Sequence, residues 1–200
     1  MIWCGSRNGS RQFLMTEQRF KPLSPEEMSA EQRRMAESIL AGPRKSLSGP
    51  FSALLYSPET GDCAQKLGAQ VRFRNSLPDK LKELAILMVA RHWTAQFEWY
   101  AHHRLALAAG LDPQIARDIA AGKRPAALQP DEAAIHDFCA ELLETKQVSD
   151  AAFKAVADRF GEKGVVDLIC TLGYYSLVSM TLNVNRFPIP KDATPLEKLR

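Results

Sequence analysis

The stretch FEWYAHHRLALAAG, residues 97–110, sets one acid and two imidazoles among aromatic side chains. On an α-helix Glu98 and His102 stand four apart on one face, close enough for the carboxylate to bond the imidazole and raise its proton affinity. Such a pair is suited to general acid–base work. His103 is turned about 100° from His102, so only one of the two faces the same cleft as Glu98. Trp93, Phe97, Trp99 and Tyr100 supply a water-poor wall able to shift pKa values toward the working pH. Glu83 lies in the apolar run LKELAILMVA, where solvated surface is scarce, and a buried carboxylate needs a partner. No metal site is expected, because neighbouring residues on a helix diverge and no His-Glu-x-x-His pattern occurs.

For these groups to meet, the chain must bend. One straight helix from Asp79 to Ala109 would exceed the usual globular length of roughly 8 to 20 residues, and would hold Glu83 about 22 Å from Glu98. A break near Thr94 removes that distance by folding one helix against the other. Thr94 is the expected N-cap of the second helix, its hydroxyl accepting from an N–H one turn later.

Elsewhere, Ser24 or Pro25 is expected to open a first helix that Gly42 and Pro43 close. SLSGPFSALLYSPETG reads as loop, short helix through Leu54 and Leu55, and turn, followed by a helix over DCAQKLGAQVRFR. Asp112–Pro113 opens a short helix stopped by Gly122. QPDEAAIHDFCAELLETK carries an amphipathic stripe through Ile135, Phe138, Cys139, Leu142 and Leu143. Ser149 caps a further helix stopped by Gly161, and GVVDLICTLGYYSLVSMTLNVN is apolar nearly all round, which marks a central or interfacial helix. No strand alternation and no repeat is visible. The fold class is therefore all-α, a single domain of about seven or eight helices over residues 25–190, with a flexible N-terminal arm (1–24) and a tail (191–200).

The chain has 200 residues, 46% of them hydrophobic, enough for one well-buried domain. Its 26 basic and 23 acidic residues are spread without a block of like charge, so no nucleic-acid or anionic-membrane partner is expected. With no long apolar run or secretory leader evident, a cytoplasmic protein is expected. Cys4, Cys63, Cys139 and Cys170 form no Cys-x-x-Cys pair and read as packed or reduced thiols.

LKELAILMVARHWTAQFEWYAHHRLALAAGL resembles the core of the carboxymuconolactone decarboxylase family, within the alkylhydroperoxidase D-like superfamily. The likeness extends to GPFSALLYSPETGDCAQKLG upstream and GYYSLVSMTLNVNRFPIP downstream, roughly residues 45–190. In the superfamily's peroxidase branch, Cys-x-x-Cys is followed four residues later by His and preceded by a glutamate twelve residues before the first cysteine. Counting back from His102 puts Glu98 at the second cysteine position, Ala95 at the first and Glu83 at the upstream glutamate. Without the two sulfurs, dithiol peroxide reduction by that mechanism is chemically excluded.

The resemblance then implies the decarboxylase branch, in which a carboxylated lactone loses CO2 and one carbon is protonated. It implies His102 as proton donor, Glu98 orienting it and keeping it charged, and Glu83 assisting a second transfer or buttressing the site. Trp93, Trp99, His103 and Asn183 are the expected substrate-binding residues, with Arg91 or Arg74 as holders of a substrate carboxylate. No cofactor is expected, and the assembly is expected to be a homo-oligomer, a trimer or hexamer with sites near its interfaces. The alternatives are peroxide chemistry through Cys63 or Cys139, and a non-catalytic oligomeric binding protein.

Overall fold

A computed structural model describes residues 17–199, and among them the chain forms eight helices and no strand. The all-α architecture follows from apolar residues recurring at helical spacing between strong stop signals. Helix α1 spans Ala30–Ala41, α2 Phe51–Leu54, α3 Pro58–Phe73, α4 Asp79–His92, α5 Gln96–Ala108, α6 Pro113–Ala120, α7 Pro130–Thr145 and α8 Asp150–Asn185.

Two expected boundaries move. Helix α1 starts at Ala30 rather than at Ser24 or Pro25. Ser24 N–H is taken by the Glu27 carboxylate at 2.8 Å in a self-contained turn, while Ser29 and Gln32 form a reciprocal capping box at 2.8 and 3.2 Å. SPETG is the opening of α3, not a turn, because Pro58 sits in the first helical turn, where a missing N–H costs nothing. Asp112 and Ser149 cap α6 and α8 as their residue types predict, each accepting a backbone N–H.

Helix α4 is the axis of the domain. Leu84, Ala85, Ile86, Leu87, Val89 and Ala90 are fully buried, because α5, α7 and α8 pack around the helix and α6 covers part of it. Burying each of these leucine, isoleucine or valine side chains contributes about 1.5–3 kcal/mol. A smaller cluster of Met28, Met35, Ile39, Phe51 and Leu55 joins α1, α2 and the loop before them.

Helix α8 is interrupted at Gly161, where φ 67° and ψ 176° lie outside the helical region. Its second part is both central and exposed. Leu168, Leu172, Tyr175, Val178 and Leu182 face the core, whereas Val166, Ile169, Leu177, Met180 and Val184 form an apolar stripe on the outside. By length and composition alone α8 is apolar enough to cross a membrane, which the sequence reading did not anticipate, and half of its most apolar window is packed inside the domain.

The chain ends are tied down where they are described. Of the expected N-terminal arm, residues 1–16 lie outside the described residues. Residues 17–24 are not a free arm: Arg19 N–H donates to Asn185 O at 3.1 Å and Phe20 N–H to Asn185 Oδ1 at 2.7 Å. In the tail, Leu196 is buried and exchanges two hydrogen bonds with the Gln96 side chain at 2.8 and 2.9 Å.

Candidate functional site

The turn between α4 and α5 builds the site. Ala95 N–H donates to Ala90 O at 2.8 Å and Thr94 N–H to Arg91 O at 3.0 Å, the paired bonds of a Schellman ending. Thr94 occupies the left-handed position of that ending, with φ 47°. The break is thus where helix length requires it, but Thr94 terminates α4 and does not cap α5. Its hydroxyl accepts from Arg91 Nη2 at 2.9 Å, and Ala95 begins α5 with no side-chain cap. A β-branched residue in this conformation stores roughly 1–2 kcal/mol, sustained by the burial of the helices on either side.

The fold-back brings Glu83, Glu98 and His102 together. Nδ1 of His102 lies 2.6 Å from Glu83 Oε2, and Nε2 lies 3.1 Å from Glu98 Oε1. The first contact is a good hydrogen bond. The second is close enough for strong charge attraction but off the line of a hydrogen bond, so Glu98 Oε1 keeps an unfilled acceptor site. The three residues are 6, 3 and 3% exposed in the order Glu83, Glu98, His102.

Burial alone pushes the imidazole pKa down. The charge of Glu98 and the hydrogen bond and charge of Glu83 outweigh it and lift His102 to about 9. At neutral pH the group is an imidazolium between two carboxylates, donating from Nδ1 to Glu83 and held by the charge of Glu98 at Nε2. The tighter partner is Glu83, not the i,i+4 neighbour that spacing on one helix singles out.

Helix α8 adds a phenol to this cluster. The Tyr175 ring meets the His102 ring edge-on with centroids 4.9 Å apart. Among the described residues its buried hydroxyl has no hydrogen-bond partner, nor has that of Ser179 one turn further on. Burial first, and then the negative charge of Glu98, hold Tyr175 well above the ordinary phenol pKa, so it stays a donor. Sequence reasoning missed Tyr175, because in an apolar run nothing marks which tyrosine turns inward.

The expected substrate-binding residues do not gather around the three. His103 stacks on Trp99 at 5.7 Å with the rings 14° apart, and burial lowers its pKa. Trp93 sits at the α4–α5 turn against His92, its carbonyl accepting from Asn183 Nδ2 at 2.8 Å. Asn183, exposed in the last turn of α8, fastens that turn. Arg91 is consumed structurally, donating to Ala120 O, Glu197 O and Thr94 Oγ1, and Arg74 is exposed at the end of α3.

Among the described residues no three His, Cys, Asp or Glu side chains converge as metal ligands. Neither of two surface cavities includes Glu83, Glu98 or His102. The larger, about 880 Å³, lies between α4, α6, α7 and the C-terminal segment, and the other, about 460 Å³, between Phe20, Tyr56 and the end of α8. The three charged side chains are almost wholly buried and line neither cavity. Chemistry and burial, more than cavity size, mark it as the candidate site. The chain matches no family model and no curated protein.

Proposed function

We propose that this protein is a cofactor-free carbon–carbon lyase of the carboxymuconolactone decarboxylase type, with an alkylhydroperoxidase D-like fold, acting on a small carboxylated lactone or ring compound. The observation that carries the reading is the nearly dry acid–imidazolium–acid row formed by Glu83, His102 and Glu98.

In such a site, loss of CO2 leaves the electron pair of the broken C–C bond in the unsaturated system, and charge grows on the lactone carbonyl oxygen. Low surrounding dielectric disfavours the starting carboxylate more than the dispersed charge that follows. The Tyr175 hydroxyl is a donor without an acceptor, suited to bond that oxygen as its charge develops. His102 delivers a proton to carbon, Glu83 fixes the ring through Nδ1, and Glu98 returns a proton from solvent to Nε2.

The exposed apolar stripe on α8 supports a homo-oligomer, a trimer or hexamer, since a lone domain rarely leaves such a face open. No observation favours peroxide chemistry: Cys139 is buried, which pushes its thiol pKa up and away from the thiolate, and Cys63 is exposed on α3. The deep burial of the charged row favours, as a second reading, a non-catalytic oligomeric binding protein. CO2 release from a panel of carboxylated lactones separates the two. Wild type should turn over at least one of them, with Glu98→Gln and His102→Ala slowed about 100-fold or more. Equal rates in all three proteins refute the mechanism, and no turnover by any of them favours the binding reading.

A further inference from the structure

Beside the buried row lies a guanidinium with no counter-charge. Arg44, in the segment between α1 and α2, makes no ion pair among the described residues, and its Nε is buried without a partner. It is held by aromatic faces, 4.9 Å above Phe51 and 5.7 Å from Phe73, and by one long contact, 3.4 Å from Nη2 to the Tyr174 hydroxyl. Tyr174 packs edge-on against Tyr175 at 5.3 Å, and Tyr175 against His102. Two phenols therefore bridge the cation and the acid–imidazole row.

Space for this arrangement is built into α3. A Cβ at Gly68 would stand 2.1 Å from the Tyr174 ring and 2.5 Å from Arg44 Nη2. Gly68 is what lets the phenol and the guanidinium lie against that helix. Arg72, further along α3, also makes no ion pair among the described residues and lies over Phe73 at 5.4 Å. Its charge reaches the same two phenols.

An arginine on an apolar cradle, with no counter-charge among the described residues, is suited to receive a planar anion, whose two oxygens match the guanidinium fork. The buried row cannot serve that purpose, because Glu83 and Glu98 outnumber His102 in charge and repel a carboxylate. We infer that Arg44 is the anchor for a substrate carboxylate, holding the acid group at the Tyr174 end while the uncharged rest of a carboxylated lactone extends past Tyr175 to His102. In taking the anion for a substrate, this rests on the decarboxylase reading. The anion site itself is tested without turnover.

The probe is sorbate, a short unsaturated monocarboxylate, with its neutral methyl ester as control, and binding is followed by calorimetry and by NMR shifts. Sorbate should bind wild type at millimolar concentration and the ester should not. Arg44→Met should weaken sorbate about tenfold or more, Arg44→Lys less, and the distant surface variant Lys154→Gln not at all. Circular dichroism and thermal midpoints of the Arg44 variants, compared with wild type, separate lost binding from lost fold. Equal sorbate affinity in wild type and a folded Arg44→Met protein, or no sorbate binding by wild type, overturns the assignment. Binding that depends on Arg44 in a protein that decarboxylates nothing upholds the anion site while refuting the lyase.

Discussion

Glu83 of α4 and His102 of α5 meet at 2.6 Å although 19 residues separate them in the chain. A turn of three residues makes this possible, and the bond it creates acts with the charge of Glu98 to hold His102 protonated. Four predictions follow from this bond and from the helices around it.

His102 should titrate near 9, against an ordinary value of 6.5. A folded-state pKa above the unfolded one means that the protonated ring stabilises the fold. That contribution is fully present below about pH 6.5 and is lost as pH rises through about 9. The His102 ring-proton shift followed by NMR should show the high midpoint, and urea unfolding should show stability falling across the same window. A His102→Gln protein should lack this part of the slope, and a midpoint near 6.5 in wild type would contradict the charged row.

Removing one carboxylate should be harsher than neutralising it. Glu83→Ala leaves a buried imidazole facing an empty space and should cost about 3 kcal/mol or more in chemical denaturation. Glu83→Gln keeps an oxygen to accept from Nδ1, should cost less, and should lower the His102 pKa by removing a nearby negative charge. The pair gives a stability order, Ala below Gln below wild type, that a mere surface contact would not produce.

Gly161 and Gly173 should respond in opposite directions to the same substitution. Within one chain, no described atom outside the local helix backbone lies within 4 Å of where either Cβ would go, so packing inside the domain does not enter. Gly161 holds φ 67° and ψ 176°, a region that essentially only glycine occupies, and Gly161→Ala should cost about 1–3 kcal/mol. Gly173 is exposed inside a helix, where Gly173→Ala should gain up to about 1 kcal/mol. Thermal midpoints of the two variants test this directly.

The outer stripe of α8 should govern assembly. Light scattering of wild type should give a trimer or hexamer, and Ile169→Glu with Leu177→Glu should shift it to a monomer with unchanged helix content. Both side chains are exposed, 47 and 37%, so the charges cost the isolated domain little. A wild-type monomer would remove the argument for this face.

Much of the fold was legible because helix signals are local. Asp112 with Pro113, Ser149 and the stripe from Ile135 to Leu143 each announce a helix within one or two turns of sequence. The α4–α5 break was legible from length alone, but its construction was not. A threonine before a helical run looks like an N-cap, and only the backbone bonds from Ala95 and Thr94 reveal a C-terminal ending. The site was legible in the same partial way. The i,i+4 rule finds Glu98 for His102, whereas the shorter bond comes from another helix, where spacing carries no information. Tyr175 and Arg44 depend on how α8 and the segment after α1 pack, and neither residue type is unusual in its own stretch.

The exchange of hydrogen bonds between Gln96 and Leu196 reaches further than its two bonds suggest. Helix α5 begins at Ala95 without a side chain to cap it, and Leu196 grips the first residue of the helix instead. A protease that clipped the chain after Pro190 would leave Glu98 and His102 chemically intact and still unlatch the helix that carries them.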